Sequence, residues 1–430
     1  VLLRRLTLSN FRNYAELDLE PTAGLNVLLG ANAQGKSNLL EGIAMLGTGK
    51  SFRTAREGDT VRQDCERAIL YGQAAITAGA VELVCTIERS SRGTRKSYTV
   101  NGTGVRYASY LGRMRVVTFV PADLQLATGT PSGRRAFLNI ALSQTDPQYY
   151  YELARYRKAI QQKNALLRGA IDLDDELVAA YDRTLIDAGT RIMLARNALV
   201  RALALNAGRA HTRFAASEQF ELRYDPNIAF EEPTPQAVTA AFEARLRQCA
   251  DAERLRKNAI AGPHRDDIAL TLDGASLAAY GSQGQQRTAV LALKIAEYRV
   301  THERSSEAPL LLLDDVLSEL DEERAGAFLS EIGEYEQAFI TATHLPVGLP
   351  AGAHLARVAD AQVQVEIACA SQPQRWPDGR RRTGPTIRWR CSKPAGRRSS
   401  GRRLRATRTP PESWRAPCWS SPARALGATS

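Results

Sequence analysis

The sequence predicts an α/β protein: a mixed sheet with helices, its strands split between two halves of the chain, an inserted and mostly helical lobe, and a disordered basic tail. Three observations carry this expectation. A short apolar run, Leu25 to Leu29, ends in glycine and is followed by Ser37 to Leu46 at helical spacing. A second apolar run, Leu310 to Leu313, is unbroken, as a strand covered on both faces must be, and it ends in Asp314-Asp315. Between them, from about Pro131 to Gly262, apolar residues recur three and four apart with charges interleaved.

Taken in order, Leu2, Leu6 and Leu8 lead as a strand to Phe11-Arg12-Asn13-Tyr14, and Leu17 and Leu19 then alternate with acids. Residues from about Ala68 to Val105 read as an antiparallel meander with a turn at Asn101-Gly102. Leu153 to Leu167, Leu177 to Leu205 and Ala237 to Ala259 read as amphipathic helices, interrupted by a strand-like Phe220 to Tyr224. Strands resume at Ile268 to Leu272, turn at Asp273-Gly274, and lead to a helix near Ser282 and a further strand at Ala338 to Thr341. The expected domains are 1–130 and 262–368, forming one split head, with 131–261 as the lobe and 369–430 as the tail.

Composition limits the function classes. The 430 residues are 44% hydrophobic and 24% charged, as in an ordinary soluble globular protein, and no stretch approaches a membrane span. No signal-peptide core is found at Val1 to Asn10, so a cytoplasmic location is expected. The net charge is +11, but Ser371 to Ser430 hold 14 Arg and one Lys against two acids. That stretch therefore carries +13 and the preceding 370 residues −2, so a DNA surface on the folded part must come from local clusters. The tail also holds all four Trp and lacks any period, which reads as disorder, with a nucleic-acid arm as the alternative. Six scattered Cys form no CxxC pair, and five His form no metal-ligating cluster.

The chemistry lies in short strings. Gly30-Ala31-Asn32-Ala33-Gln34-Gly35-Lys36-Ser37 fits G-x-x-x-x-G-K-[ST] between strand and helix. Its glycines let backbone N–H groups wrap phosphate oxygens, Lys36 meets the β- and γ-phosphates of ATP, and Ser37 reaches Mg²⁺. Leu310 to Asp315 is the matching Walker B strand: Asp314 is placed to hold Mg²⁺, and Asp315 stands where ABC-type ATPases, which this string resembles, usually have a Glu that polarises the attacking water. Ser282, in Gly281-Ser282-Gln283-Gly284-Gln285, is expected to cap a helix in the manner of an ABC signature, with Gly284 beside it. Ser318-Glu319-Leu320-Asp321 resembles the D-loop of ABC-type ATPases, and His344 follows a strand where that family places a histidine that senses the γ-phosphate.

With these strings in this order, the chain resembles RecF, of the SMC-like branch of ABC-type ATPases, over about residues 1 to 367. Four further strings support the resemblance: Asn10 to Tyr14, Lys50 to Thr54, Gly129 to Leu138, and Gly262 to Asp267. The sequence departs from the family pattern at Ala122 and Asn139. No glutamine suits a Q-loop, although Asp123 lies near that place. The resemblance implies that Arg12 contacts nucleotide phosphate. It places the Gly262 to Asp267 string near the nucleotide or the dimer interface, and leaves Arg134-Arg135 as either a solvated helix start or a DNA or partner contact. Phe11 and Tyr14 read equally well as core aromatics.

What the resemblance implies for function is a recombination mediator. An ATP-induced homodimer, with Ser282 and Gly284 of one subunit capping the γ-phosphate on the other, would bind duplex DNA near single-strand junctions. It would work with RecR and RecO and help load RecA. Asp315 replaces the usual Glu, so slow hydrolysis acting as a release switch is expected. The alternatives are an SMC-type DNA clamp or scaffold, disfavoured by the short helical region, and a transporter ATPase, disfavoured by the Pro-His-Arg-Asp-Asp string.

Overall fold

The computed structural model describes residues 1–91, 93–169, 175–316, 326, 328, 335–345, 349 and 352–366. The expected D-loop string and the basic tail lie outside the described residues. Every element named below belongs to one compact unit.

Alternating apolar residues build an antiparallel sheet from β1 (Leu2–Phe11), β2 (Tyr14–Leu19), β4 (Arg67–Ile76), β5 (Gly79–Ser90), β6 (Gly93–Val100) and β7 (Thr103–Val105), in the order β2-β1-β4-β5-β6-β7. A second sheet runs β15-β14-β3-β13-β12-β8, from β3 (Gly24–Leu29), β8 (Val116–Phe119), β12 (Leu310–Leu313), β13 (Gln337–Ala342), β14 (His354–Ala359) and β15 (Gln362–Glu366). All its pairs are parallel except β14 with β15. A small third sheet joins β9 (Phe220–Asp225), β10 (Asp267–Leu272) and β11 (Ala275–Ser276).

Helix α1 (Lys36–Thr48) lies between the two large sheets, with Leu39, Leu40, Ile43, Met45 and Leu46 in one core with Leu3, Leu6 and Leu8 of β1 and Leu310, Leu312 and Phe339 of the parallel sheet. This sandwiching explains Gly47, where a Cβ would stand 2.4 Å from Val116 Cγ2. The opposite face of the parallel sheet, with Leu311, Leu313 and Ile340, joins a second core built largely from helices. β12 is therefore wholly buried on both sides, which is why it reads as an unbroken apolar run.

The remaining helices are short α2 (Tyr107–Tyr110) and α3 (Gln125–Thr128), then α4 (Pro131–Thr145), α5 (Pro147–Gly169), α6 (Asp175–Phe214), α7 (Pro235–Arg256), α8 (Leu277–Tyr280) and α9 (Gln283–Ser305). Buried Lys163 of α5 donates to Asp182 of α6 and Glu253 of α7, both at 2.6 Å, and ties the three long helices together. The three predicted lobe helices are present with shifted ends, two of them longer. α5 begins six residues before Leu153, where Pro147 fits the first turn, and α6 continues to Phe214 because Ala207, Ala210 and His211 keep its buried stripe going. α7 ends at Arg256, short of Ala259, because Lys257 takes a left-handed cap with φ 51°. The strand-like Phe220 to Tyr224 does not stand alone: it is β9, paired antiparallel with β10 across the lobe insertion.

Candidate nucleotide-binding site

The strand order decides where the two phosphate-handling strings meet. β13 lies between β3 and β12, so the loop after β3 and the carboxylates after β12 emerge at the same C-terminal edge, one strand apart. Such an edge is where open α/β sheets bind ligands. Ser37 and Asp314 are 277 residues apart in sequence, yet the Ser37 hydroxyl donates to Asp314 Oδ1 at 2.7 Å.

The loop itself is a cradle. Gly35 has φ 112°, and a Cβ there would stand 2.8 Å from Asn13 Nδ2 and 3.0 Å from the Tyr14 hydroxyl, so only glycine fits. Lys36 curls its ammonium over the loop and donates to the carbonyls of Gly30 at 2.6 Å and Ala31 at 2.8 Å. Burial pulls its pKa down, opposed by the charges of Asp315 and Asp314. No side chain caps the N-terminus of α1 and no acid occupies its first turn. Its N–H groups and positive dipole end are thus left for an anion. Gln34 is anchored from outside: its Oε1 accepts from Asp360 N at 2.7 Å, and its carbonyl from Ala361 N at 3.2 Å, in the β14–β15 turn.

Asp314 is buried, and burial raises its pKa; hydrogen bonds from Ser37 and Thr341 and the nearby charge of Arg53 oppose that. Thr341, at the end of β13, was not picked out by sequence reasoning. Its hydroxyl donates to Asp314 Oδ1 at 2.9 Å and accepts from Asp315 N at 2.8 Å, which orients the Asp314 carboxylate and holds the Asp315 backbone. The available signal was a polar side chain ending an apolar strand. Asp315 holds a left-handed backbone, φ 54°, which an aspartate tolerates better than most residues. His344 stands exposed just beyond β13, with Nδ1 3.0 Å from Thr343 Oγ1.

A hydroxyl and a carboxylate 2.7 Å apart at an uncapped helix N-terminus are the donor set Mg²⁺ takes when it keeps waters and phosphate oxygens as its other ligands. The residues therefore fit a magnesium triphosphate, with Ser37 and Asp314 as the holders. Among the described residues, no group of three or more His, Cys, Asp or Glu could hold a metal by itself.

The four further strings of the sequence meet in two pairs. Asn10 to Tyr14 and Lys50 to Thr54 converge on Glu41 of α1, fully buried and unrecognised in the sequence. Arg12 donates to it twice, at 2.8 and 2.6 Å, and also to Asp59 O, while Ser51 Oγ donates at 2.5 Å. Arg12 is thus held against the side of α1, and Asn13 and Tyr14 carry the string's contact with the loop: Tyr14 OH donates to Gly35 O at 3.1 Å. Phe11 and Tyr14 are core aromatics as well, both fully buried. In the second pair, Arg134 forms a fork on Asp267 at 2.6 and 2.7 Å, and Arg135 donates to Asp266 O at 2.7 Å. Neither arginine is a solvated helix start. Asp266 is buried on Arg196, and the Gly262 to Asp267 string is a fastening between head and lobe. The Asp123 carboxylate accepts from Val120 N and lies 3.8 Å from the buried Lys294 ammonium.

Ser282 caps α9 as expected. Its hydroxyl accepts from Gln285 N, and Gln285 Oε1 accepts from Ser282 N at 2.8 Å, a reciprocal capping box. Ser282 is exposed, and no hydrogen bond or ion pair among the described residues links it to the phosphate loop of its own chain.

The family described as RecF/RecN/SMC N terminal domain matches residues 2–365. A protein of Symbiobacterium thermophilum named DNA replication and repair protein RecF is 42% identical over 347 residues, covering 80% of this chain and 92% of that one. The chain belongs to the RecF family. A RecF of Gloeobacter violaceus is 39% identical over 350 residues, with the same shares of both chains covered. Among solved structures, one described as the recombination mediator protein RecF with ATP in the RecFOR pathway superposes with a TM-score of 0.78 at 30% identity, covering 85% of this chain and 97% of that chain. The mixed α/β head with its lobe is thus the RecF fold. Among the described residues no helix is long and apolar enough to cross a membrane.

Proposed function

We propose that this chain is an ATP-dependent DNA-binding protein of recombinational repair and replication-fork recovery. ATP binding induces a dimer that engages DNA near single-strand/duplex junctions and, with RecR and RecO, helps load RecA. The observation that carries the reading is the 2.7 Å contact of Ser37 with Asp314, which closes a phosphate cradle around Gly30 to Ser37. The family membership and a relative solved with ATP support it.

In this reading the N–H groups from Ala31 to Ser37 hold the phosphate oxygens, and Lys36 exchanges its two carbonyl contacts for the β- and γ-phosphates. Mg²⁺, when bound, neutralises charge on the phosphates during transfer. Asp314 and Ser37 hold it in place. Asp315, its backbone N–H held by Thr341, orients the water, and as one methylene shorter than glutamate it reaches that water less well, which makes turnover slow. Ser282 and Gly284 face outward, positioned to cap the γ-phosphate held by a second copy, and His344 senses it. Loss of the γ-phosphate removes the ligand both copies share, so the dimer reopens.

Sedimentation with and without ATP, and with gapped DNA, tests this. ATP is expected to shift wild type to dimer, Lys36→Arg to stay monomeric, and Asp315→Asn to accumulate as dimer. DNA binding should weaken steeply with salt. A wild-type protein that remains monomeric with saturating Mg-ATP overturns the reading.

A further inference from the structure

The signature loop is held from behind by a residue that no motif includes. Gln285 uses both ends of its amide. Its Oε1 accepts from Ser282 N at 2.8 Å within the capping box, and its Nε2 donates to Glu218 Oε1 at 3.0 Å. Glu218 belongs to the turn between α6 and β9, on the inserted segment, and its own N–H donates to Ala215 O. The turn is fastened further: Gln219 N donates to Asp273 Oδ1 at 2.8 Å, and Asp273 N to Gln219 O at 2.9 Å.

Behind the carboxylate stands His211 of α6, fully buried, its ring 5.3 Å from that of Phe220. Its Nε2 lies 3.6 Å from Glu218 Oε2, and neither ring nitrogen has a hydrogen-bond partner among the described residues. Burial depresses its pKa, opposed by the charge of Glu218, and because the ring faces Oε2, Oε1 of Glu218 is left to Gln285. An amide that must accept from one N–H and donate to one carboxylate has a single orientation. Without Glu218, the donor end of Gln285 is unpartnered and the amide is free to turn away from Ser282.

We infer that Glu218 is a positioning residue for the ABC-type signature: through Gln285 it sets the conformation in which Ser282 and Gly284 meet the γ-phosphate on a second copy. The inference rests on the proposed ATP-dependent dimer. It also gives the inserted segment a direct hold on the signature, since α6 and β9 carry the turn on which Glu218 sits.

The two halves of the site separate in the test. The cradle that binds ATP within one chain does not include Glu218, whereas dimer closure uses the signature. Glu218→Ala is expected to keep the nucleotide affinity of the dilute monomer within twofold of wild type. The loss of a charge-assisted hydrogen bond at each of two signature loops should raise the ATP-dependent dimer dissociation constant by about tenfold or more. Glu218→Gln, whose carbonyl still accepts from Gln285, should recover most of the dimer. Gln285→Glu, which sets two carboxylates face to face, should be as defective as Glu218→Ala. Combining it with Glu218→Gln restores a donor–acceptor pair in reverse and should recover dimerisation. That reciprocal swap keeps the test sharp even if a single variant folds poorly. A Glu218→Ala protein that dimerises like wild type, or a swap that recovers nothing, overturns the inference. Failure of wild type to dimerise would instead fall on the proposed function.

Discussion

Asp266 offers the sharpest test of the reading that a family string is a fastening and not a ligand site. Its carboxylate is fully buried and accepts three hydrogen bonds: from Arg196 Nη1 at 2.8 Å, from the Tyr224 hydroxyl, and from Asn227 N at 3.0 Å. Arg196 is itself 2% exposed and spends its other donors on neutral acceptors, Pro263 O at 2.6 Å, the Tyr149 hydroxyl at 3.2 Å and Asn139 Oδ1 at 3.0 Å. Asp266→Ala therefore leaves a guanidinium in the interior with no counter-charge. Removing one partner of a buried pair costs about 3–5 kcal/mol, a large fraction of a typical stability of about 5–15 kcal/mol. The neighbouring Asp267→Ala breaks the partly buried fork to Arg134, whose carboxylate is one quarter exposed, and should cost less, about 1–2 kcal/mol. Urea unfolding followed by far-UV circular dichroism measures both. Circular dichroism is chosen over tryptophan fluorescence because all four Trp lie between residues 371 and 430, outside the described residues. The double variant Arg196→Met/Asp266→Leu should recover part of the loss, though Tyr224 and Asn227 still lack an acceptor. If Asp266→Ala unfolds within about 1 kcal/mol of wild type, the fastening role is wrong.

The buried Asp314 sets an opposite expectation for the protein without nucleotide. Its folded pKa lies above the ordinary carboxylate value, so its contribution to stability is present at low pH and is lost as pH rises through that raised pKa. Asp314→Asn should thus melt higher than wild type near pH 7, with the gap narrowing as pH falls, while losing the stabilisation Mg-ATP gives. A lower melting temperature for the variant at neutral pH would contradict this. Ending the chain after Ala370 should leave nucleotide affinity unchanged, since among the described residues the cradle draws on those between Asn13 and Ala361; calorimetry showing lost binding would mean the tail takes part.

The sequence by itself determined the local chemistry. A glycine loop closing on lysine and serine, an apolar strand ending in two aspartates, and a serine opening a helix each depend on neighbours a few residues away. Backbone conformation and capping act over that range. The buried strand β12 was legible for the same reason, since both of its faces are apolar. Only the tertiary structure decided which strings belong together. Thr341 reaches Asp314 and Asp315 because β13 is threaded between β3 and β12, a pairing order no local period records. Glu41 gathers Arg12 and Ser51, and Asp266 and Asp267 gather Arg196, Arg134 and Arg135, across separations that sequence spacing cannot measure. Polar side chains such as Glu41 and Glu218 sit on helices and turns where a solvated role is the ordinary expectation. Burial against a specific partner is what gives them a task, and burial is a property of the folded chain.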